Sequence, residues 1–300
     1  MRNRGVHIIQ FLLICSLTSC QSRSVTTDFN PVQAMSFVEQ QLAFGPRIPG
    51  TEGHAETANW IEATVADYGW SVRRQSFQYR GTTITNIIAS SSTSSTDPVL
   101  ILGAHYDTRP HANLDEQQPL SPVPGANDGA SGVAVLLEIA RTLPPGSLSY
   151  PLMLVFFDAE DSGGIDGWDW IVGSTYFAEH LDRPCEGVVI VDMVGDQDLY
   201  LPLERTSDPS LQASIWLEGQ RSGFPAYESR EGYAIIDDHT PFLQRGIPAV
   251  DIIDFDYPAW HTRADTLDQL STDSLEQVGQ TLVNWLLARN LMINEGTPEQ

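Results

Sequence analysis

The sequence contains no lysine; all 16 of its basic residues are arginine. That absence excludes a Schiff-base amine or a Ser-Lys dyad as nucleophile. Positive charge is scarce altogether, because 39 Asp and Glu residues leave a formal net charge of −23. An acidic field of that size repels nucleic acid and anionic membrane surfaces, and it favours metal ions and free amino termini. Nucleic acid is therefore not an expected partner. Cysteine is nearly absent too, with Cys15, Cys20 and Cys185 the whole complement. If the first leaves with a signal segment and the second is acylated, one thiol remains, which excludes a disulfide within the mature chain and a Cys-based metal centre. The apolar stretch over residues 8–17 falls short of the about 20 residues a spanning helix needs.

What is present is material for a core, at 41% hydrophobic and 9% aromatic residues over 300 positions, enough for one large domain. Arg2 and Arg4, the short apolar stretch and Leu17-Thr18-Ser19-Cys20 follow the order of a bacterial lipoprotein signal. Residues 1–19 are expected to be a signal peptide of that type, 20–29 a tether and 30–300 a single catalytic domain. Cys20 would carry the lipid of an exported protein in the cell envelope, on the periplasmic or extracellular side, with no other membrane contact and as a monomer. An ordinary secretory signal cut nearby is the alternative.

Strand and helix signals alternate along the chain. Helices are expected over residues 31–43, 51–68, 133–143, 174–180, 209–222, 241–245 and 273–294, and strands over 70–79, 82–90, 98–104, 152–157, 187–191, 233–236 and 249–253. Such alternation argues an α/β fold, a three-layer sandwich whose central sheet is mixed but mostly parallel, with helices on both faces.

Five segments at predicted strand ends or helix starts carry metal-competent side chains: His105 and Asp107, Asp128, Glu160 and Asp161, Asp192, and His261. The carboxyl ends of several strands in an α/β sheet meet at one crevice, so residues distant in sequence can converge there. Nitrogen and oxygen donors without Cys suit a catalytic zinc with one open coordination position. A cation would also offset the repulsion between the adjacent acids Glu160 and Asp161. Taken singly, each residue has a plainer reading: His105 as a hydrogen-bonded core histidine, Asp128 as a helix N-cap, Asp192 as a solvated strand end, His261 as loop packing.

The ordered runs GAHYDT, GANDGASG, FFDAED, VDMVGD, DDHTPF and WHTRADT, within about residues 98–270, resemble the superfamily of zinc-dependent aminopeptidases and glutaminyl cyclases. The resemblance implies an α/β sandwich. It implies that Asp128, Asp161 and His261 hold one zinc, that Glu160 is the general base, and that Asp107 orients a histidine. His105 and Asp192 match ligands of a second zinc in the aminopeptidases and members of a hydrogen-bond network in the cyclases. Two features point to the cyclase branch: Asp237 in DDHTPFLQRGIP, matching a catalytic Asp, and the aromatics Trp168, Tyr257 and Trp260, matching the wall of a narrow glutamine pocket. The activity so implied is conversion of amino-terminal Gln of peptides or proteins to pyroglutamate, with Glu160, Asp192 and Asp237 catalytic. A zinc aminopeptidase is the alternative, favoured by the form of GANDGASG, and a non-catalytic peptide- or metal-binding lipoprotein is a third reading. Asp161 stands where Glu is common in the resembled family, and Ala104 stands where animal cyclases carry a disulfide cysteine.

Overall fold

The computed structural model describes residues 28–92 and 96–295. The expected signal peptide, the expected lipid site Cys20 and most of the tether lie outside the described residues. Among the described residues no helix is long and apolar enough to cross a membrane.

Strands β1 (Ser71–Tyr79), β2 (Thr82–Ser90), β3 (Val99–His105), β4 (Leu152–Phe157), β5 (Cys185–Asp192) and β8 (Ala249–Ile253) form a six-stranded sheet in the order β1-β2-β4-β3-β5-β8. The β1–β2 and β2–β4 pairings are antiparallel, and β4, β3, β5 and β8 run parallel. The parallel strands read as continuous apolar runs because both of their faces are covered. In β4, Leu152, Leu154 and Phe156 enter one apolar cluster while Met153, Val155 and Phe157 enter another on the opposite face. Helices α1 (Pro31–Ala43), α2 (Glu52–Asp67), α3 (Ala130–Thr142), α5 (Pro209–Arg221) and α7 (Thr272–Glu295) contribute to the first cluster; α4 (Val172–Glu179) and α6 (Thr240–Gln244) contribute to the second. The three-layer α/β sandwich expected from the sequence is the fold.

Local signals explain several boundaries. Asn30 caps α1 by accepting the backbone N–H groups of Val32 and Gln33 at 3.1 Å, and Pro31 occupies the first turn, where a missing N–H costs nothing. The helix α3 starts two residues beyond Asp128, and its N-cap is Gly129 at φ +99, with no side-chain cap. A Cβ at Gly129 would stand 2.8 Å from the His105 ring and from the His105 carbonyl oxygen, so glycine lets the helix start press against the end of β3.

The sequence expectation fails at residues 233–236, which are irregular and not a strand. The strand in this region is β7 (Tyr227–Glu231), paired in parallel with β6 (Leu201–Leu203) in a separate small sheet. The apolar run Tyr-Ala-Ile-Ile pairs with no strand. It is held instead by a carboxylate: Glu204 Oε1 accepts the N–H of Ile235 at 3.0 Å, and the Tyr233 carbonyl accepts from Arg205 N at 2.9 Å.

Candidate active site

The sheet register sets the site. His105 pairs with Phe157, and Asp192 with Ile253, so the last residues of β3, β4, β5 and β8 share one edge of the sheet. Just beyond that row lie Asp158 to Asp161 after β4, Asp128 before α3, Asp237 before α6, and His261 in the loop after β8. Three residues there hold positive φ without being glycine, namely Ala159 (+57), Met193 (+47) and His261 (+57). Left-handed backbone costs an L-residue on the order of 1–3 kcal/mol and collects at sites where side-chain aim matters.

Asp128, Glu160, Asp161, Asp192, Asp237, Trp260 and His261 line one pocket of about 380 Å³, a small-molecule size. His261 Nε2 lies 3.1 Å from Asp161 Oδ1 and 3.8 Å from Asp128 Oδ2. His105 sits beneath, with Nε2 3.1 Å from Asp128 Oδ1 and 3.2 Å from Asp192 Oδ1. Two sets of three offer ligand atoms all within 4.8 Å of one another: Asp128, Asp161 and His261, and His105, Asp128 and Asp192. The donors fit a divalent cation. Asp128 Oδ2 and Asp161 Oδ2 are buried with no hydrogen-bond partner, an arrangement that costs about 1–3 kcal/mol per group unless something charged completes it.

Charge around the pocket is correspondingly perturbed. Burial pushes the Glu160 carboxyl well above its usual range; His105 opposes the shift, while Asp161, Asp237 and Asp238 add to it. Burial likewise raises Asp192 to about 7 against the pull of His105, and raises Asp161, with Asp128 adding to the effect. Asp128 goes the other way, because its contacts with His105 and His261 outweigh burial.

Two further carboxylates hold the loops that carry these groups. Asp107 accepts the N–H of Glu160 at 3.0 Å through Oδ1 and that of Asp161 at 3.2 Å through Oδ2. Its Oδ1 is 3.5 Å from His105 Nδ1, which is left without a hydrogen bond. Asp107 therefore fixes the loop after β4 more firmly than it orients the histidine. Asp265 plays the matching part for the other loop, accepting Asn127 N at 2.8 Å and Asp128 N at 3.2 Å.

The aromatic wall differs from the sequence expectation. Trp260 stacks on His261, centroids 3.9 Å apart, and lines the pocket as expected. Trp168 does not: it packs edge-on against Tyr79 at 5.2 Å, in a cluster with Ile84, Ala159 and Val172. Tyr257 is also outside the lining, because its hydroxyl turns inward to donate to Asp265 Oδ1 at 2.8 Å. The second wall is Trp170, parallel to the His261 ring within 4° at 6.0 Å. Tyr233, Ile235, Ile236 and Phe255 form the outer lining. The sequence did not place Trp170 in the wall, and it gave no role to Asp265 or to Arg109, the buried cation behind Trp170. Asp265 and Arg109 stand inside or beside quoted runs, but their roles depend on contacts across the fold.

The model of peptidase family M28 matches residues 86–286. The chain belongs to peptidase family M28. Within that superfamily it sits in the glutaminyl cyclase branch. Glutaminyl cyclase from Porphyromonas gingivalis is 33% identical to this M28 chain, covering 87% of it and 99% of the cyclase, with a TM-score of 0.82. A leucine aminopeptidase precursor from Bacteroides thetaiotaomicron is 31% identical, covering 86% of this chain and 97% of its own, with a TM-score of 0.81. Glutaminyl-peptide cyclotransferase of Drosophila melanogaster is 26% identical over 77% of this chain and 74% of its own length.

Proposed function

We propose that this M28 chain is a zinc-dependent glutaminyl-peptide cyclotransferase that converts the amino-terminal Gln of peptides to pyroglutamate and releases ammonia. The observation that carries the reading is the grouping of Asp128, Asp161 and His261 beside Glu160, in a pocket walled by Trp170 and Trp260. Similarity to solved glutaminyl cyclases supports it.

Asp128, Asp161 and His261 would hold the ion. When bound, zinc supplies Lewis acidity toward the γ-carboxamide oxygen of the substrate. The substrate's own α-nitrogen attacks the side-chain carbonyl carbon, the C–N bond to the amide nitrogen breaks, and ammonia leaves. Glu160 accepts the proton from the α-amine and passes it to the departing nitrogen, a role suited to a carboxyl that burial holds well above its usual range. Asp192 and Asp237 hold Glu160 and the leaving nitrogen, sharing protons with them. Trp170 and Trp260 exclude the water that would hydrolyse the bond instead of letting it cyclise.

Hydrolysis of amino-terminal residues is the second reading. It is favoured by the His105, Asp128 and Asp192 grouping, which could take a second ion. We also propose export and lipid attachment at Cys20, from the order of Arg2, Arg4, apolar stretch and Leu17-Thr18-Ser19-Cys20. Cys20→Ala should move the protein from the membrane to the soluble fraction, and continued membrane association would remove the anchor. Function is tested by incubating zinc-loaded protein with Gln-initiated and Leu-initiated peptides and weighing the products. Loss of ammonia from the first with the second intact is the expected result; free Leu establishes the peptidase, and neither product leaves a binding protein.

A further inference from the structure

We infer that Arg109 is a positioning residue that sets a metal-ligating carboxylate and a substrate-pocket wall with one side chain. The inference rests on the zinc reading above. Arg109 is only 5% exposed. Its Nη1 donates to the Asp161 carbonyl at 3.0 Å, to Asp161 Oδ1 at 3.1 Å and to the Gly163 carbonyl at 3.3 Å. Its Nε donates to Asn113 Oδ1, and the guanidinium carbon lies 4.7 Å from the centroid of Trp170.

These contacts divide the work of holding one loop. Asp107 takes the N–H groups of Glu160 and Asp161, and Arg109, two residues on, takes the carbonyls of Asp161 and Gly163. The loop is pinned by opposite polarities from the same neighbouring segment. The planar fork can meet diverging oxygens while its face stays against an aromatic ring, a combination that the point charge of Lys does not offer. Because Arg109 and His261 both engage Asp161 Oδ1, Oδ2 is left unpartnered and available as a ligand. Asp161 has a short side chain with little slack, so its backbone position decides where that oxygen stands.

The same loop seats Trp170. A Cβ at Gly163 would stand 2.0–2.4 Å from three atoms of the Trp170 ring, so the indole lies directly on the Gly163 backbone that Arg109 holds. Trp170 in turn lies parallel to His261 across the pocket. Moving the guanidinium should therefore disturb the ligand and the wall together.

The test compares wild type, Arg109→Lys and Arg109→Met. Zinc affinity is measured by competition with a chromogenic chelator. Trp170 emission is read as the difference between each protein and its Trp170→Phe counterpart. Arg109→Met should weaken zinc binding about 10–100-fold, the usual effect of losing a residue that orients a ligand. It should also shift Trp170 emission and, at saturating zinc, raise KM for a Gln-initiated peptide more than it lowers kcat. Arg109→Lys should fall between. Adding Asp161→Glu to Arg109→Met should recover part of the zinc affinity, because a longer side chain can reach from a displaced loop. If the Met variant does not fold by circular dichroism, the Lys variant decides on the same readouts. Unchanged zinc affinity in a folded variant, or a change in only one of the two readouts, overturns the inference. A wild-type protein that binds no zinc would instead overturn the reading beneath it.

Discussion

Asp251, in the middle of β8, and the pair Asp128 and Asp161, at the pocket, are all buried with carboxylate oxygens that meet no hydrogen-bond donor. What differs is access. Asp128 and Asp161 line a pocket and face His261, so a cation arriving from solution can complete them. Asp251 is sealed, its nearest cation-capable neighbour being His239 Nδ1 at 3.8 Å. Burial and then the neighbouring Asp237 and Asp192 push its carboxyl well above the usual range. A proton is the partner available to Asp251, and a metal ion the partner available to the pocket pair. A buried unsatisfied acid thus marks a ligand site only where something can reach it.

The largest effect should come from the pocket side. Glu160→Gln should lower kcat about 10³-fold, within the range for loss of a general base, while zinc content stays at the wild-type level. Loss of zinc in that variant would make Glu160 a ligand and remove the distinction between base and binding group. Next, chelation should abolish turnover and lower the unfolding midpoint, and added zinc should restore both, because an ion bound only by the folded state stabilises it. Asp251→Asn should leave both responses intact, because it touches none of the three ligands.

On the sealed side the sign reverses. Asp251 keeps its proton in the folded state to a pH well above its ordinary value, so wild-type stability falls as pH rises through that window and the full cost is present above the folded pKa. Asp251→Asn should therefore raise the apoprotein's unfolding midpoint by a few degrees at pH 8 and by almost nothing below pH 4. An equal gain at both pH values would mean that charge is not the cause. The smallest effects should separate the two tryptophans. Trp170→Ala should raise KM several-fold with little change in stability, and Trp168→Ala should lower the unfolding midpoint with little change in KM.

The parts of this comparison differed in how far the sequence showed them. The apolar runs of β3, β4, β5 and β8 each end at or near a His or Asp, so the sheet and the convergence of His105, Asp128, Asp161, Asp192 and His261 were legible from pattern alone. The sequence singles out Trp168 for the wall, whereas the structure puts Trp170 there, and both follow the acid pair at nearly the same distance. What separates them is the approach of the Trp170 ring to Gly163 and the contact of Trp168 with Tyr79, neither of which is a sequence property. Residues 233–236 have the composition of a strand but pair with none. The anchor that replaces pairing is Glu204, 31 residues away in sequence from Ile235. Asp251 lies within the strand expected over 249–253, and its burial is set by the neighbouring strand and helices.

The most direct measurement is the anomalous scattering of zinc in crystals of the loaded protein. The account predicts a peak about 2.0–2.2 Å from a carboxylate oxygen of Asp128, a carboxylate oxygen of Asp161 and a ring nitrogen of His261, distances normal for zinc with oxygen and nitrogen ligands. A peak that leaves any of those three residues out of reach, or a protein that retains no zinc, would contradict it.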